Sequence, residues 1–236
     1  VSAMRKSEAI FAKGYCFKKY FIMYLIGSFF GALYEELLEC LKVYLRTGHF
    51  EWSIRRGVIY GPLSPVYGFG FIMLIGIFSH FPNLSDPEIF FYGSLVGGAF
   101  EYAISFLQET FIGSTSWDYS KQFLNINGRT TIPIMIFWGL LTLIFIRWLY
   151  PLLSSWVERI PSKIGNPIVY ILIVLVSLDM LISWTALARQ NFRDQGKKPL
   201  TIVGKLYDKY YTDEYLHQHF PNMVRIRKKA FHVPHN

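Results

Sequence analysis

The sequence predicts an all-α integral membrane protein: about five transmembrane helices, followed by a basic polar C-terminal tail. Three observations predict it. Of 236 residues, 52% are hydrophobic and 18% aromatic, while only 17% are charged, against roughly 25% in soluble domains. The charges fall between long apolar runs rather than within them. Five of those runs reach the ~20 residues that an α-helix needs to cross a hydrocarbon core.

The runs are residues 20–45, 58–80, 88–111, 131–150 and 168–188. No linker rich in Pro, Gly or Ser divides them, so residues 1–193 read as one transmembrane bundle and 194–236 as the tail. The segment 151–167 is amphipathic and too short to span, and is expected to lie at the interface or to re-enter. A short helix is expected within the tail, around 200–217. The N-terminal stretch lacks a small-residue cleavage pattern, which favours a retained first helix over a signal peptide.

A net charge of +8 could suggest nucleic acid. The basic residues instead flank apolar spans, as the positive-inside rule expects, and membrane lipid is the expected partner. An outside N-terminus would place most Lys and Arg, tail included, in the cytoplasm; the basic N-terminus argues the other way. A sixth membrane-embedded element would reconcile the two. Cys16 and Cys40 lie near opposite ends of the first run, roughly 36 Å apart along a helix, so they should not pair. No Walker motif, zincin motif, nucleophile elbow or dinucleotide fingerprint is present, and no metal or other cofactor is expected. The tail histidines His217, His219, His232 and His235 match no firm ligand spacing.

Two segments resemble each other. Gly27, Ser28, Gly31 and Glu35 share their spacing with Gly93, Ser94, Gly97 and Glu101. In the spans that follow, Gly57, Pro62, Tyr67 and Gly68 share theirs with Gly128, Pro133, Trp138 and Gly139. This pattern predicts two parallel helix-pair repeats, 20–80 and 88–150, with 168–188 as a fifth helix. The alternative is coincidence among glycine-rich membrane helices.

Spacing of four aligns residues along a helix. Gly27, Gly31, Glu35 and Glu39 form one such stripe; Gly93, Gly97, Glu101, Ser105 and Glu109 form another. Small residues let helices approach closely, and carboxylates at membrane depth should face protein or a wet cavity. The loops on the same side deliver Arg56, Tyr60 and Tyr67, then Trp117, Asp118, Tyr119, Asn125, Asn127 and Arg129. The stretch 60–70 holds two prolines and three glycines and cannot start as a regular helix. Glu35, Arg56, Tyr60, Tyr67, Glu101, Glu109, Trp117, Asp118, Tyr119, Asn125, Asn127 and Arg129 are therefore the candidate substrate-binding or coupling residues, gathered at one end of the bundle. An ion-pair network that only locks the helices together is the competing reading. Asp179 is a further intramembrane acid, either functional or hydrogen-bonded to Ser177 or Ser183.

The run Arg56-Gly57-Val58-Ile59-Tyr60-Gly61-Pro62-Leu63-Ser64-Pro65-Val66-Tyr67-Gly68-Phe69-Gly70 resembles a signature of the CmpB family of bacterial membrane proteins. Trp117-Asp118-Tyr119-Ser120 with Asn125-Ile126-Asn127-Gly128-Arg129 resembles its second signature. Glu35, Glu101 and Trp138-Gly139 fit as well. The departure is Thr130-Thr131-Ile132, where a more apolar run would be expected. The resemblance implies a permease component of an ABC transporter in the cell membrane, working with a separate cytoplasmic ATPase subunit. A homo-oligomer is compatible with it. The alternatives are a structural or regulatory membrane protein and an intramembrane enzyme acting on a lipid-linked substrate.

Overall fold

The computed structural model describes residues 10–52 and 55–225. The chain is mostly helical. Helix α1 (Phe17–Thr47) runs for 31 residues, about 46 Å, and ends where Gly48 adopts φ 76° and donates to the Tyr44 carbonyl at 2.8 Å. The chain then turns back beside the helix that it has just left. The Ser64 amide donates to the Ser28 carbonyl at 2.9 Å, so α2 (Pro65–Phe78) begins level with the middle of α1. Pro65 occupies its first turn, where a missing amide costs nothing.

Helix α3 (Asp86–Ile112) starts with a capping box formed by Ser85 and Glu88. A small hairpin of β2 (Asn125–Ile126) and β3 (Thr130–Thr131) follows. Thr131 then caps α4 (Ile132–Ile144) by accepting from the Ile134 amide at 3.2 Å. Phe145–Leu149 forms a π-helical turn, and α5 (Tyr150–Glu158) continues the same rod. Pro151 explains the wide turn: it supplies no amide, and its ring would crowd the carbonyl of Arg147 in a regular helix. Helix α6 (Ser162–Asp194) is 33 residues long. Helices α7 (Ile202–Tyr210) and α8 (Asp213–His219) complete the described chain, with β1 (Ser114–Thr115) pairing antiparallel to β4 (Val224–Arg225).

Among the described residues, four helical stretches are long and apolar enough to cross a membrane: Phe17–Thr47, Asp86–Ile112, Ile132–Glu158 and Ser162–Asp194. Helix α2 is shorter, at 14 residues. Their outer faces carry exposed Phe29, Phe30, Phe91, Leu95, Phe137, Leu140, Val174 and Leu178, a surface that suits lipid and not water.

Three expectations are corrected. Residues 151–167 are no interfacial segment: 150–158 extends the fourth span and 162–167 opens the next helix. The run 58–80 is helical only from Pro65 to Phe78, because its prolines and glycines hold the preceding stretch in irregular backbone. The tail helix around 200–217 is two helices, broken where Thr212 caps the second by accepting from the Tyr215 amide. Cys16 and Cys40 are both free thiols. His232 and His235 lie outside the described residues.

The closest packing is α1 on α2 and α3 on α4. A side chain on Gly27 would run into Phe71, and one on Gly31 into Tyr67. One on Gly93 would run into Thr142, and one on Gly97 into Trp138. Ser28 meets Gly68 as Ser94 meets Gly139. Lipid supplies no hydrophobic drive between helices, so such glycine contacts carry much of the association through close van der Waals packing.

The tight hydrophobic core lies toward the starts of α1 and α3: Met23, Leu74, Ile75, Phe78, Ile89, Phe145, Leu153, Val157 and Val169. Lys19, 2% exposed, is held there by Glu158 and by Ser154 at 2.7 Å. A second cluster joins Ile59, Ala186 and Leu187 to Leu216 and Phe220 of the tail.

Candidate functional site

Glu35 is the nineteenth of the 31 residues of α1, Glu101 the sixteenth of the 27 of α3, and Asp179 the eighteenth of the 33 of α6. The three acids therefore sit near the middles of the long helices and not at their ends. The end-of-bundle placement expected from the loops is corrected accordingly. Its physical cause is the chain's return: the loop after α1 dips to mid-helix level before α2 begins.

That dip exposes backbone amides to membrane depth, where each needs a partner. Asp179 supplies two, accepting from the Tyr60 amide at 3.1 Å and the Gly61 amide at 2.9 Å. Ser183 accepts from the Ile59 amide at 2.8 Å and donates to Asp179 at 3.1 Å. Asp179 thus anchors the re-entering loop, in partnership with Ser183 and not Ser177.

A cavity of about 1200 Å³ opens between α1 and α2 on one side and α3, α6 and the tail on the other. Six of the twelve candidates line it: Glu35, Arg56, Tyr67, Glu101, Trp117 and Tyr119. The Tyr67 hydroxyl donates to Glu35. Glu101, 8% exposed, accepts from Thr130 at 2.7 Å, from Tyr119 at 3.3 Å and from the Trp138 side chain. Each glutamate is thus held by an aromatic donor of the helix packed against its own. Tyr119 feels both carboxylates; burial and then Glu101 push its phenol up, which keeps it a neutral donor.

The other six candidates lie off the cavity and build the surrounding loops. Arg129 pairs with Glu109, donates to Ser105 at 3.2 Å and stacks on Tyr102 and Phe106. Asn125 holds the Gly128 amide at 3.0 Å and two loop carbonyls. Asn127, at φ 52°, donates to the Tyr102 hydroxyl at 3.0 Å. Asp118 caps the Ser120 amide at 2.8 Å, and that hydrogen bond holds its carboxyl below the usual range. Tyr60 is exposed, with its hydroxyl 2.7 Å from that of Tyr211.

The positive charges divide unevenly. Arg55 pairs with Glu39 at 2.9 Å, and Lys42 lies 3.9 Å from the same carboxylate. Arg56 has no ion-pair partner among the described residues, and the Nε atoms of both arginines are buried without a hydrogen-bond partner. Sequence reasoning missed Thr130, which donates to Glu101, and Trp138, Phe220, Asn222 and Met223, which line the cavity. The match between Tyr67 and Trp138 could have marked Trp138; nothing local marks the tail residues. Among the described residues no three His, Cys, Asp or Glu side chains converge on a metal position.

Neither the curated proteins nor the solved structures yield a match to this chain. A family model does match, over residues 22–184. That stretch takes in both signatures, Glu35, Glu101, Asp179 and the re-entering loop. The chain belongs to the CmpB family, whose description reads "Putative ABC-transporter type IV".

Proposed function

We propose that the chain is the membrane-embedded permease component of a transporter, and that the cavity at Glu35, Arg56, Tyr67, Glu101, Trp117 and Tyr119 is its substrate or coupling site. The observation that carries the reading is a cavity at mid-helix depth whose two glutamates are each held by the neighbouring helix. Transporters place substrate sites near the bilayer midplane, between structural repeats and beside interrupted helices. The matching glycine contacts of α1 with α2 and of α3 with α4 support two parallel helix-pair repeats. On this reading the loop 55–64 and α2 together make the second of five crossings. The protein works in the cell membrane together with a separate ATPase subunit, a partner that the family's ABC-transporter description supports.

Extraction from native membranes in a mild detergent, followed by mass spectrometry of co-purifying proteins, tests this. An ATPase should be recovered in near-equal amount, and should remain after Glu101→Gln. Recovery of the chain with no ATPase would contradict the reading. A structural role is favoured for a different set, Glu109, Asn125, Asn127 and Arg129, whose polar atoms are taken up by loop and helix partners away from the cavity.

A further inference from the structure

We infer that the cavity takes an acidic membrane lipid, with its phosphate-type headgroup on Arg56 and its chain along the groove; this rests on the transport reading and names the class of molecule handled. The hydrogen-bond inventory selects the sign of the headgroup. The carboxylates already have donors: Glu101 has Thr130, Tyr119 and Trp138, Glu35 has Tyr67, and Glu39 has Arg55. The buried arginine atoms without partners, Nε of Arg55 and Nε of Arg56, are both donors. What is missing is therefore an acceptor, and an arginine fork fits phosphate oxygens well. The cavity is also bordered by Ser64, Pro65 and Val66, the start of α2, where the positive end of the helix dipole favours an anion.

The shape selects a long chain. Away from Arg56 the wall is apolar, with Ile72, Met73, Ile104, Leu107 and Leu181. It reaches from Lys42 back to Tyr20 of α1, about 33 Å along the helix. A free phosphate ion would leave that wall unused. A cationic amphiphile would leave the arginine donors unpaired.

Titration of the full chain in maltoside detergent tests the inference, with dodecyl phosphate, inorganic phosphate and dodecyltrimethylammonium as probes and calorimetry as readout. Dodecyl phosphate should bind saturably, one per chain, and the other two should bind at least about tenfold more weakly. Arg56→Gln should weaken dodecyl phosphate about tenfold, Arg56→Lys should restore part of the loss, and Ile104→Trp should block the chain without touching a charge. Lipid extracted from the purified protein should be enriched in phosphatidylglycerol over the surrounding membrane. Equal binding of inorganic phosphate would replace the lipid by a free ion, and equal binding of the ammonium probe would show that the headgroup is not read; either overturns the inference. So would unchanged binding in both Arg56→Gln and Ile104→Trp. If dodecyl phosphate fails while an ATPase co-purifies, the lipid inference falls and the transport reading stands; the opposite pair of results reverses that.

Discussion

Asp179 and Arg56 behave in opposite ways, and the contrast separates structure from function at the level of single residues. Asp179 spends its acceptors on the Tyr60 and Gly61 amides and on Ser183. Asp179→Ala should leave two amides unpaired, at about 1–3 kcal/mol each, and lower the thermal unfolding temperature in detergent clearly. Ser183→Ala should cost less, because it leaves only one amide, that of Ile59, unpaired. A melting temperature unchanged in Asp179→Ala would show that the loop does not depend on that anchor. Arg56 has no such commitment, so its loss should alter binding more than melting. The sequence marks Asp179 as an intramembrane acid and Arg56 as a loop charge at one end of the bundle, and it cannot say which one is satisfied. That depends on where the loop 55–64 re-enters, a long-range fact set by the Ser28 contact.

Elements show the same division. The four long spans are legible because apolar length and charge-free windows are local properties. The irregular stretch before α2 is legible too, since Gly61, Pro62 and Pro65 keep the chain out of a regular helix up to Ser64, whereas Gly68 and Gly70 are absorbed within α2. The union of 132–158 into one rod is not, because a π turn that absorbs Pro151 has no simple sequence signal. The glycine stripes make a firm prediction about helix pairing. Gly31→Val and Gly97→Val should each destabilise the bundle by about 1–3 kcal/mol, whereas Gly76→Ala, with only the Tyr20 hydroxyl 4.0 Å away, should be silent. Matched melts of the three variants check this; equal tolerance would remove the seams from the account.

The tail is the element least visible in sequence. It docks through Asp208, which accepts from Arg189 at 2.7 and 2.8 Å and from Arg193 at 2.9 Å. These bonds, Arg189 first, pull the Asp208 carboxyl down from 3.8 to about 2. A depressed carboxyl contributes stability above its ordinary pKa and loses it as pH falls through the docked value. Limited proteolysis should therefore find the tail protected at neutral pH and progressively released between about pH 4 and pH 2. Asp208→Asn should release it at neutral pH.

For the whole molecule, tight packing fills the half of the bundle where α1 and α3 begin, and a cavity opens in the other half and runs back along α1 to Tyr20. Around that cavity the two helix pairs present Glu35 with Tyr67 and Glu101 with Trp138, and the tail closes one wall with Phe220, Asn222 and Met223. Of the twelve candidates from sequence, six line the cavity. The sequence could not tell cavity from hairpin, because Asn125, Asn127 and Arg129 carry the same polar groups to the opposite side of α3. The most direct measurement is an experimental density map of the chain purified with native lipid. The account predicts continuous elongated density in the cavity, its head within hydrogen-bond distance of Arg56 and its length along Ile72, Met73 and Ile104. A cavity closed by its own side chains, with Arg56 paired to Glu35 or Glu39, would contradict it.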